Sequence, residues 1–218
     1  MTTTAVTKPT LTYFNLPGLA EAPRLLLEDA GVDYDYVAVA NWAELKPEFQ
    51  AAGKAPFGQL PIYEDPSGLS LAQSSAITRH LAREHGYYGT SAHEAALIDQ
   101  AAEGVVDIRT RVIQAVFRTP EEQKAEARAQ LLADYLPGQL AIFSKLLEKN
   151  GDNGFLVGSK LSYADVYLWT TVAMLNTRVE GSQEVTAKYP AITSFFDRFA
   201  ARDRVKAYLA RDVYAKKE

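Results

Sequence analysis

Short apolar runs alternate with helix-like segments over the first 88 residues. LTYFN at residues 11–15 and YDYVAV at 34–39 are rich in β-formers and predict two strands. Between them, AEAPRLLLEDAG has helical spacing, with Pro23 in its first turn and Gly31 as a stop signal. A strand, a helix and a strand within about thirty residues predict a right-handed crossover and a parallel strand pair.

The next segments predict a hairpin and a second helix. Residues 40–56 read as an irregular connection, with a short helical turn around WAELKPEF. LPIYED and LSLA flank Pro66-Ser67-Gly68, which is typical of a hairpin turn. SSAITRHLAREHG then predicts a helix with Ser74 as its N-cap and Gly86 at its end. The order βαβ followed by ββα predicts a mixed sheet covered by helices.

Helical apolar spacing dominates after residue 88, in the segments 92–117, 120–149, 162–178 and 190–208. LSYADVYLWTTVAML is apolar almost all round, which predicts a buried central helix. Ser162, with Asp165 three residues later, forms a capping-box pattern at its start. We therefore expect a disordered tail over residues 1–9, an α+β domain over 10–88 and an all-helical domain over 89–218.

Composition excludes several classes of function. The 218 residues are 47% apolar and 23% charged with a net charge of -4, and the Lys and Arg residues are scattered, so we expect no nucleic-acid partner. No apolar stretch reaches the roughly 18 residues of a membrane span, and the polar N-terminus does not resemble a secretory signal. Cysteine is absent, which removes disulfides and protein-thiol chemistry. With three histidines and no favourable spacing, we expect no metal and a cytoplasmic location.

Two features of the predicted sheet carry candidate chemistry. Tyr13 stands near the end of the first strand, at the mouth of an open sheet where ligands of α/β folds bind, although a half-buried strand aromatic is the alternative. In FGQLP, Pro61 opens a strand after an irregular loop, which makes the Leu60–Pro61 bond a candidate for the cis form. The Leu60 N–H and C=O would then pair with an extended peptide. An ordinary trans bond is the alternative.

Two further features suit carboxylates. Gln73 and Ser74 enter a helix whose free N–H groups and positive dipole end favour an anion, although a plain serine cap has the same pattern. Trp42 and Lys46 in the connecting loop offer an indole N–H and an ammonium group for a second carboxylate. A loop anchor and a solvated charge are the alternative for that pair.

The order of these features resembles the cytosolic glutathione transferases. YFNLPGLAEAPRLLLEDAGVDY, NWAELK, FGQLPIYED and LAQSSAITRHLARE are similar to the glutathione-binding domain of that family. The resemblance continues through EAALIDQAAEGVVDIRTR, LPGQLAIFSKLLEK, FLVGSKLSYADVYL and YPAITSFFDRFAARDRVKAYL, so that it covers nearly the whole chain from residue 10. In detail the chain looks most like the tyrosine-using pi and sigma classes.

The resemblance implies a thioredoxin-like first domain, an all-helical second domain and a homodimer. It implies glutathione as co-substrate, conjugated to small hydrophobic electrophiles in detoxification, with no metal. By position, the Tyr13 hydroxyl would be the catalytic group that hydrogen-bonds the glutathione sulfur and stabilises its thiolate. The other implied glutathione contacts are Trp42, Lys46, Gln59, Leu60, Pro61, Gln73, Ser74 and, contributed by the neighbouring subunit, Asp107.

The resemblance also implies an electrophile pocket and a dimer contact. Leu16, Ile113 and Phe117 would line the pocket; Ile113 and Phe117 are four residues apart and would share a helix face. Core packing is the alternative for both. Phe57 matches the aromatic key that plugs a pocket in the partner subunit of related classes.

The chain departs from the family pattern beside Tyr13. Leu19 stands where the family usually has an arginine that organises the loop and the electrostatics around the thiolate, and Arg24 falls further along the helix. Pro17 replaces another residue that is commonly basic. Two alternatives therefore stay open: a glutathione-binding ligand carrier or structural relative with little turnover, and a glutathione-dependent isomerase such as the prostaglandin D synthases. The lack of cysteine argues against thiol-transferase variants.

Overall fold

The computed structural model describes residues 7–151 and 153–211. The described residues divide into two compact units, one formed by residues 7–85 together with 203–211 and the other by residues 86–151 and 153–202. The sequence predicted a helical domain over residues 89–218, whereas the structure groups residues 203–211 of that range with the first unit. Most of the expected tail, residues 1–6, lies outside the described residues.

Four strands form the sheet of the first unit, in the order β2-β1-β3-β4. They are β1 Thr10–Phe14, β2 Asp35–Val39, β3 Ile62–Glu64 and β4 Ser70–Ala72. The β1–β2 pair is parallel, whereas β1–β3 and β3–β4 are antiparallel. The predicted parallel pair, the hairpin and the mixed character of the sheet are confirmed.

The helices of the first unit are α1 Glu21–Ala30, α2 Trp42–Ala51, α3 Ser74–Glu84 and, after the second unit in the chain, α10 Asp203–Leu209. A 3-10 turn at Gly18–Ala20 leads directly into α1. The apolar run Leu25 to Leu27 of α1 is fully buried. The α1 helix ends at Gly31, whose left-handed conformation caps it.

Two predictions about these helices are wrong in detail. The connection after β2 holds the ten-residue helix α2 rather than a short turn, with Pro47 inside it. Its start is set by Asn41, whose side chain accepts the Ala43 N–H at 3.2 Å. The N-cap of α3 is Gln73 rather than Ser74, because β4 ends at Ala72 and a single residue with φ of 75° turns the chain into the helix.

The described part of the second unit is helical. It contains α4 Ala92–Ile113, α5 Lys124–Gln130, α6 Leu136–Lys149, α7 Tyr163–Arg178, α8 Ser182–Thr186 and α9 Pro190–Ala200. Two π-helical segments, Gln114–Arg118 and Leu131–Tyr135, interrupt the long helices that the sequence predicted. The predicted segment 190–208 is two helices, α9 and α10, with a break between them.

The predicted burial and capping of α7 are confirmed. Ten of its sixteen residues are buried. One oxygen of the fully buried Asp165 accepts both the N–H and the hydroxyl of Ser162 at 2.7 Å, and the other accepts the Leu156 N–H at 2.7 Å. Burial raises the pKa of Asp165 to about 6, against the lowering effect of these donors.

None of the helices in residues 7–151 and 153–211 combines the length and the apolar character of a membrane span. Within the same residues, no three His, Cys, Asp or Glu side chains cluster closely enough to hold a metal ion.

Candidate functional site

The hydroxyl of Tyr13 lies at the carboxyl end of β1 and receives a backbone hydrogen bond. The side chain is 7% exposed, and its hydroxyl oxygen accepts the Leu19 N–H at 3.1 Å. Within the described residues, the Tyr13 O–H has no acceptor of its own. A buried hydroxyl that accepts one hydrogen bond and donates none is positioned to donate to a ligand.

The close approach of Leu19 to Tyr13 depends on Gly18. This glycine has φ of +47°, and a Cβ at its position would lie 2.6 Å from the Tyr13 hydroxyl and 2.7 Å from the Leu16 Cδ1. Only glycine therefore permits the turn that directs the Leu19 N–H at the hydroxyl. The sequence interpretation considered only the Leu19 side chain and missed this pair. The Pro17-Gly18 dipeptide was the signal that a tight turn was present.

The Leu19 N–H also belongs to the amino-terminal end of a helical segment. The 3-10 turn Gly18–Ala20 continues without interruption into α1. The first N–H groups of a helix lack intrahelical acceptors and carry a partial positive charge. The Tyr13 hydroxyl therefore faces a positive helix end at the position where the expected arginine is absent.

The strand register aligns three of the predicted residues in one row. Thr12 lies opposite Ile62, and Ile62 lies opposite Ala72. Continuing both ladders by one residue places Pro61 opposite Tyr13 on one side and opposite Gln73 on the other. Since neighbouring strands are about 4.8 Å apart, the row from Tyr13 to Gln73 spans about 10 Å. An extended tripeptide has about the same length.

The Leu60–Pro61 peptide bond at the centre of this row is cis, as predicted. Leu60 precedes β3 and is 9% exposed. Neither its N–H nor its C=O is hydrogen-bonded to another group of the described residues. These two backbone groups are available to an extended ligand in the way that a strand edge is.

The amino-terminal end of α3 lies at one end of the row. Gln73 holds φ of 75°, the one positive value found for a described residue other than glycine, and its side chain does not cap the helix. Its amide instead donates to Gln59 Oε1 at 3.0 Å. The first N–H groups of α3 are left for an anion, and a strained non-glycine residue often marks a functional site.

Gly58 connects α2 to the loop before Leu60. The Trp42 indole N–H donates to the Gly58 carbonyl at 3.1 Å, so this group is already used within the unit. The Lys46 side chain passes close to Gly58: a Cβ added to Gly58 would lie 2.5 Å from the Cε of Lys46. Within the described part of the chain, Lys46 forms no ion pair. Trp42 therefore anchors the loop, and Lys46 offers an uncompensated ammonium group beside it.

The remaining predicted residues are exposed or half-buried in their own units. Leu16 and Phe57 in the first unit are 39% and 63% exposed, and Phe117 in the second is 57% exposed. Asp107 lies on the exposed side of α4, and Ile113 ends that helix half-buried. The expected shared face of Ile113 and Phe117 assumed α-helical spacing, whereas Phe117 lies in a π-helical segment, in which hydrogen bonds span five residues. Their role at an electrophile pocket stays a prediction.

Comparison with known proteins agrees with this arrangement. Residues 9–83 match the family model "Glutathione S-transferase, N-terminal domain", and residues 106–212 match "Glutathione S-transferase, C-terminal domain". A glutathione S-transferase P of Caenorhabditis elegans is 38% identical over 203 residues, covering 91% of this chain and 90% of its own. This chain belongs to the glutathione S-transferase family. The predicted family and the transferase class of the enzyme are confirmed.

Solved structures of the glutathione S-transferase family share the fold. A pi-class glutathione S-transferase of Onchocerca volvulus is 32% identical, with a TM-score of 0.79 and coverage of 93% of this chain and 92% of its own. A prostaglandin synthase D of Nilaparvata lugens is 26% identical, with a TM-score of 0.81 and coverage of 94% and 98%. The predicted thioredoxin-like first domain and helical second domain are confirmed.

Proposed function

We propose that this glutathione S-transferase conjugates the thiolate of glutathione to small hydrophobic electrophiles, in detoxification, and that the Tyr13 hydroxyl stabilises the thiolate. The observation that carries the proposal is that this hydroxyl accepts a hydrogen bond but donates none within the described part of the chain. Its oxygen accepts the Leu19 N–H at 3.1 Å, and its proton has no acceptor among the described residues. A sulfur atom over Tyr13 would supply that acceptor.

The free energy needed to lower the pKa of the glutathione thiol is about that of one hydrogen bond to a charged group. A thiol with a pKa near 8.5 is only a few per cent ionised at neutral pH, and the thiolate is the nucleophile. Lowering the thiol pKa by about two units takes about 2.7 kcal/mol of preferential stabilisation of the anion. A hydrogen bond to a charged group contributes about 1.5–3 kcal/mol. Donation by the Leu19 N–H polarises the phenol and strengthens its O–H as a donor.

The other groups along the row from Tyr13 to Gln73 are complementary to the remaining parts of glutathione. The free N–H groups of α3 would bind the γ-glutamyl carboxylate beside Gln73 and Ser74. The Leu60 N–H and C=O would pair with the cysteinyl backbone, with Pro61 beneath it. The Lys46 ammonium would approach the glycyl carboxylate along Gly58 and Gln59. In this arrangement the two carboxylates and the cysteinyl backbone of glutathione would each meet a group of complementary charge or hydrogen-bonding capacity.

Substitution of Tyr13 by phenylalanine tests the catalytic role. We expect Tyr13→Phe to bind glutathione with a dissociation constant within about threefold of the wild type, and to lose roughly 10- to 100-fold in turnover, as expected for one charge-assisted hydrogen bond. The matched control is Tyr63→Phe, at a tyrosine buried in β3 of the same sheet. Near wild-type turnover of Tyr13→Phe at saturating glutathione would refute the role.

We also propose a cytoplasmic homodimer, with Asp107 of one subunit reaching the γ-glutamyl amine bound to the other. The support for association is Phe57, a large apolar side chain that is 63% exposed. Phe57→Ser should shift the sedimentation of the chain toward a species near 24.0 kDa. A wild-type protein that sediments as a monomer at micromolar concentration would contradict the proposal. Fractionation of cells that express the chain tests its location.

The similarity to a prostaglandin synthase D of Nilaparvata lugens favours a second candidate function, a glutathione-dependent isomerase. Both functions use the same thiolate, so Tyr13→Phe does not separate them. Rates with 1-chloro-2,4-dinitrobenzene measure conjugation, and product analysis with a prostaglandin endoperoxide measures isomerisation. Glutathione binding without either reaction would identify a carrier or structural relative.

A further inference from the structure

Arg24 is a completely buried cation next to the turn that follows Tyr13, residues 16–19. It lies on α1, it is 0% exposed, and its Nη1 is 3.3 Å from Glu21 Oε2. Glu21 is itself 7% exposed and accepts the Tyr208 hydroxyl from α10 at 3.1 Å. Burying such a pair is costly, and packed apolar residues often stabilise a fold at least as well. Stability alone is therefore a weak reason for this pair.

Arg24 and its neighbour Tyr36 hold two carbonyl groups of the segment that follows Tyr13. Arg24 Nη1 donates to the Leu16 carbonyl at 3.4 Å, and its guanidinium lies 3.7 Å over the Tyr36 ring. The Tyr36 hydroxyl donates to the Phe14 carbonyl. Burial raises the pKa of Tyr36 to about 12, so this hydroxyl keeps its proton at neutral pH.

The two held carbonyls determine where the next N–H group lies. Between Leu16 and Leu19 the chain has only Pro17 and Gly18 in which to turn before the Leu19 N–H reaches the Tyr13 hydroxyl. Proline has a fixed φ, and Gly18 is confined by the Tyr13 ring. A shift of the Leu16 carbonyl therefore passes directly to the Leu19 N–H.

We propose that Arg24 is a positioning residue for thiolate activation: together with Tyr36 it holds the segment from Phe14 to Leu19 so that the Leu19 N–H polarises the Tyr13 hydroxyl. The inference rests on the proposed function of Tyr13. Arg24 is beneath the turn and does not replace the missing arginine at the position of Leu19. It acts through the backbone, and the charge that it carries is matched by Glu21.

The test is the pKa of the thiol of bound glutathione, measured from thiolate absorbance across a pH titration of the full chain. The double variant Glu21→Gln/Arg24→Met removes the charge pair without leaving one charge buried alone. We expect the bound thiol pKa to rise by about one unit, from about 6.5 to about 7.5, and turnover at pH 7 to fall about threefold in proportion to the lost thiolate. The dissociation constant of glutathione should change less than about threefold, because the binding row is untouched.

Two further variants complete the design. Tyr36→Phe removes only the hydroxyl that donates to the Phe14 carbonyl. It should raise the bound thiol pKa by roughly half a unit, because the Arg24 guanidinium still holds the Leu16 carbonyl. If the double variant fails to fold, the Tyr36→Phe result decides the inference. The same exchange at an exposed ion pair of the second unit, Glu180→Gln/Arg128→Met, should leave the thiol pKa unchanged.

The outcomes separate this inference from the proposed function. If Tyr13→Phe leaves the bound thiol pKa at the wild-type value, the proposed function fails and the inference fails with it. If Tyr13→Phe raises that pKa but the folded Arg24 variant and Tyr36→Phe do not, only the positioning role is overturned. A loss of thermal stability at an unchanged thiol pKa gives Arg24 a purely structural role and also overturns it.

Discussion

Replacing Gly18 by alanine would test the contact on which the Tyr13 site depends. The new Cβ would lie 2.6 Å from the Tyr13 hydroxyl, whereas ordinary contact begins at 3.4 Å, so the hydroxyl has to move by about 0.8 Å. Such a shift breaks the 3.1 Å hydrogen bond from Leu19 or moves the hydroxyl away from the sulfur. A misplacement of about 1 Å in an active site costs up to roughly 100-fold in rate.

The stability cost of the same substitution is smaller. An alanine at φ of +47° adds a conformational penalty of about 1–2 kcal/mol. For a chain of this size that lowers the melting temperature by roughly 2–8 °C. We therefore expect Gly18→Ala to stay folded at 25 °C and to lose about 10- to 100-fold in kcat at saturating glutathione.

Gly53→Ala is the matched control, because Gly53 has φ of +71° and nothing within 4 Å of the added Cβ. It carries the backbone penalty without the clash, so it should lose stability and keep its kcat within about twofold. The assay is initial rate with 1-chloro-2,4-dinitrobenzene, beside thermal denaturation of both variants. Equal kcat values for Gly18→Ala and Gly53→Ala would refute the reasoning.

Three other changes have definite expected results. Lys46→Met should raise the dissociation constant of glutathione about fivefold in calorimetry, since an exposed ion pair contributes up to about 1 kcal/mol, and this increase should be smaller in high salt. Lys145→Met is the control, and an unchanged affinity of Lys46→Met would contradict the role of Lys46. Asp165→Ala should lower the free energy of unfolding by about 2–4 kcal/mol in urea titrations, because it leaves buried N–H donors without acceptors; a loss below about 0.5 kcal/mol would argue against this. Burial lowers the pKa of His85, so the folded chain binds that proton more weakly than the unfolded chain and loses stability as pH falls below about 6.5. His85→Gln should therefore lose less stability than the wild type between about pH 7 and pH 5, and parallel stability curves would count against it.

Local patterns were sufficient for much of the fold. The strands, the hairpin, the buried α7 and its Ser162–Asp165 capping box each depend on residues close together in sequence. The local pattern made the bond before Pro61 only a candidate for the cis form, and the resemblance to the transferases implied it. In these places the local preference and the tertiary structure agree.

The errors arise where tertiary contacts override local preference. Ser74 is a better intrinsic cap than Gln73, but the strand that ends at Ala72 requires the turn one residue earlier. The π-helical segment that contains Phe117 has no sequence signature of comparable strength. The indole N–H of Trp42 donates to the Gly58 carbonyl sixteen residues away, a contact that no local pattern indicated, and the role of Trp42 at glutathione stays a prediction. The hydrophobic pattern of the sequence does not predict long-range packing of this kind.

The candidate site was predicted as a set of side chains, whereas the structure adds backbone groups to it. Tyr13 lies on β1, and Pro61 and Gln73 each lie one residue outside the ends of β3 and β4, so the pairing of these strands directs all three to the same edge of the sheet. The Leu19 N–H could not be inferred from residue type, since every residue except proline has such a group. What distinguishes it is the φ of +47° at Gly18, which a sequence only suggests.

The α10 helix gives the first unit a core that is discontinuous in the chain. Tyr208 reaches Glu21 only after residues 86–202 of the second unit have been synthesised. At 5–20 residues per second, translation of that segment takes roughly 6 to 23 seconds, during which the buried carboxylate lacks this partner. The amino-terminal unit of a nascent chain therefore reaches its complete structure late in biosynthesis, and a stop codon before Asp203 would leave Glu21, the ion-pair partner of Arg24, without the Tyr208 hydroxyl.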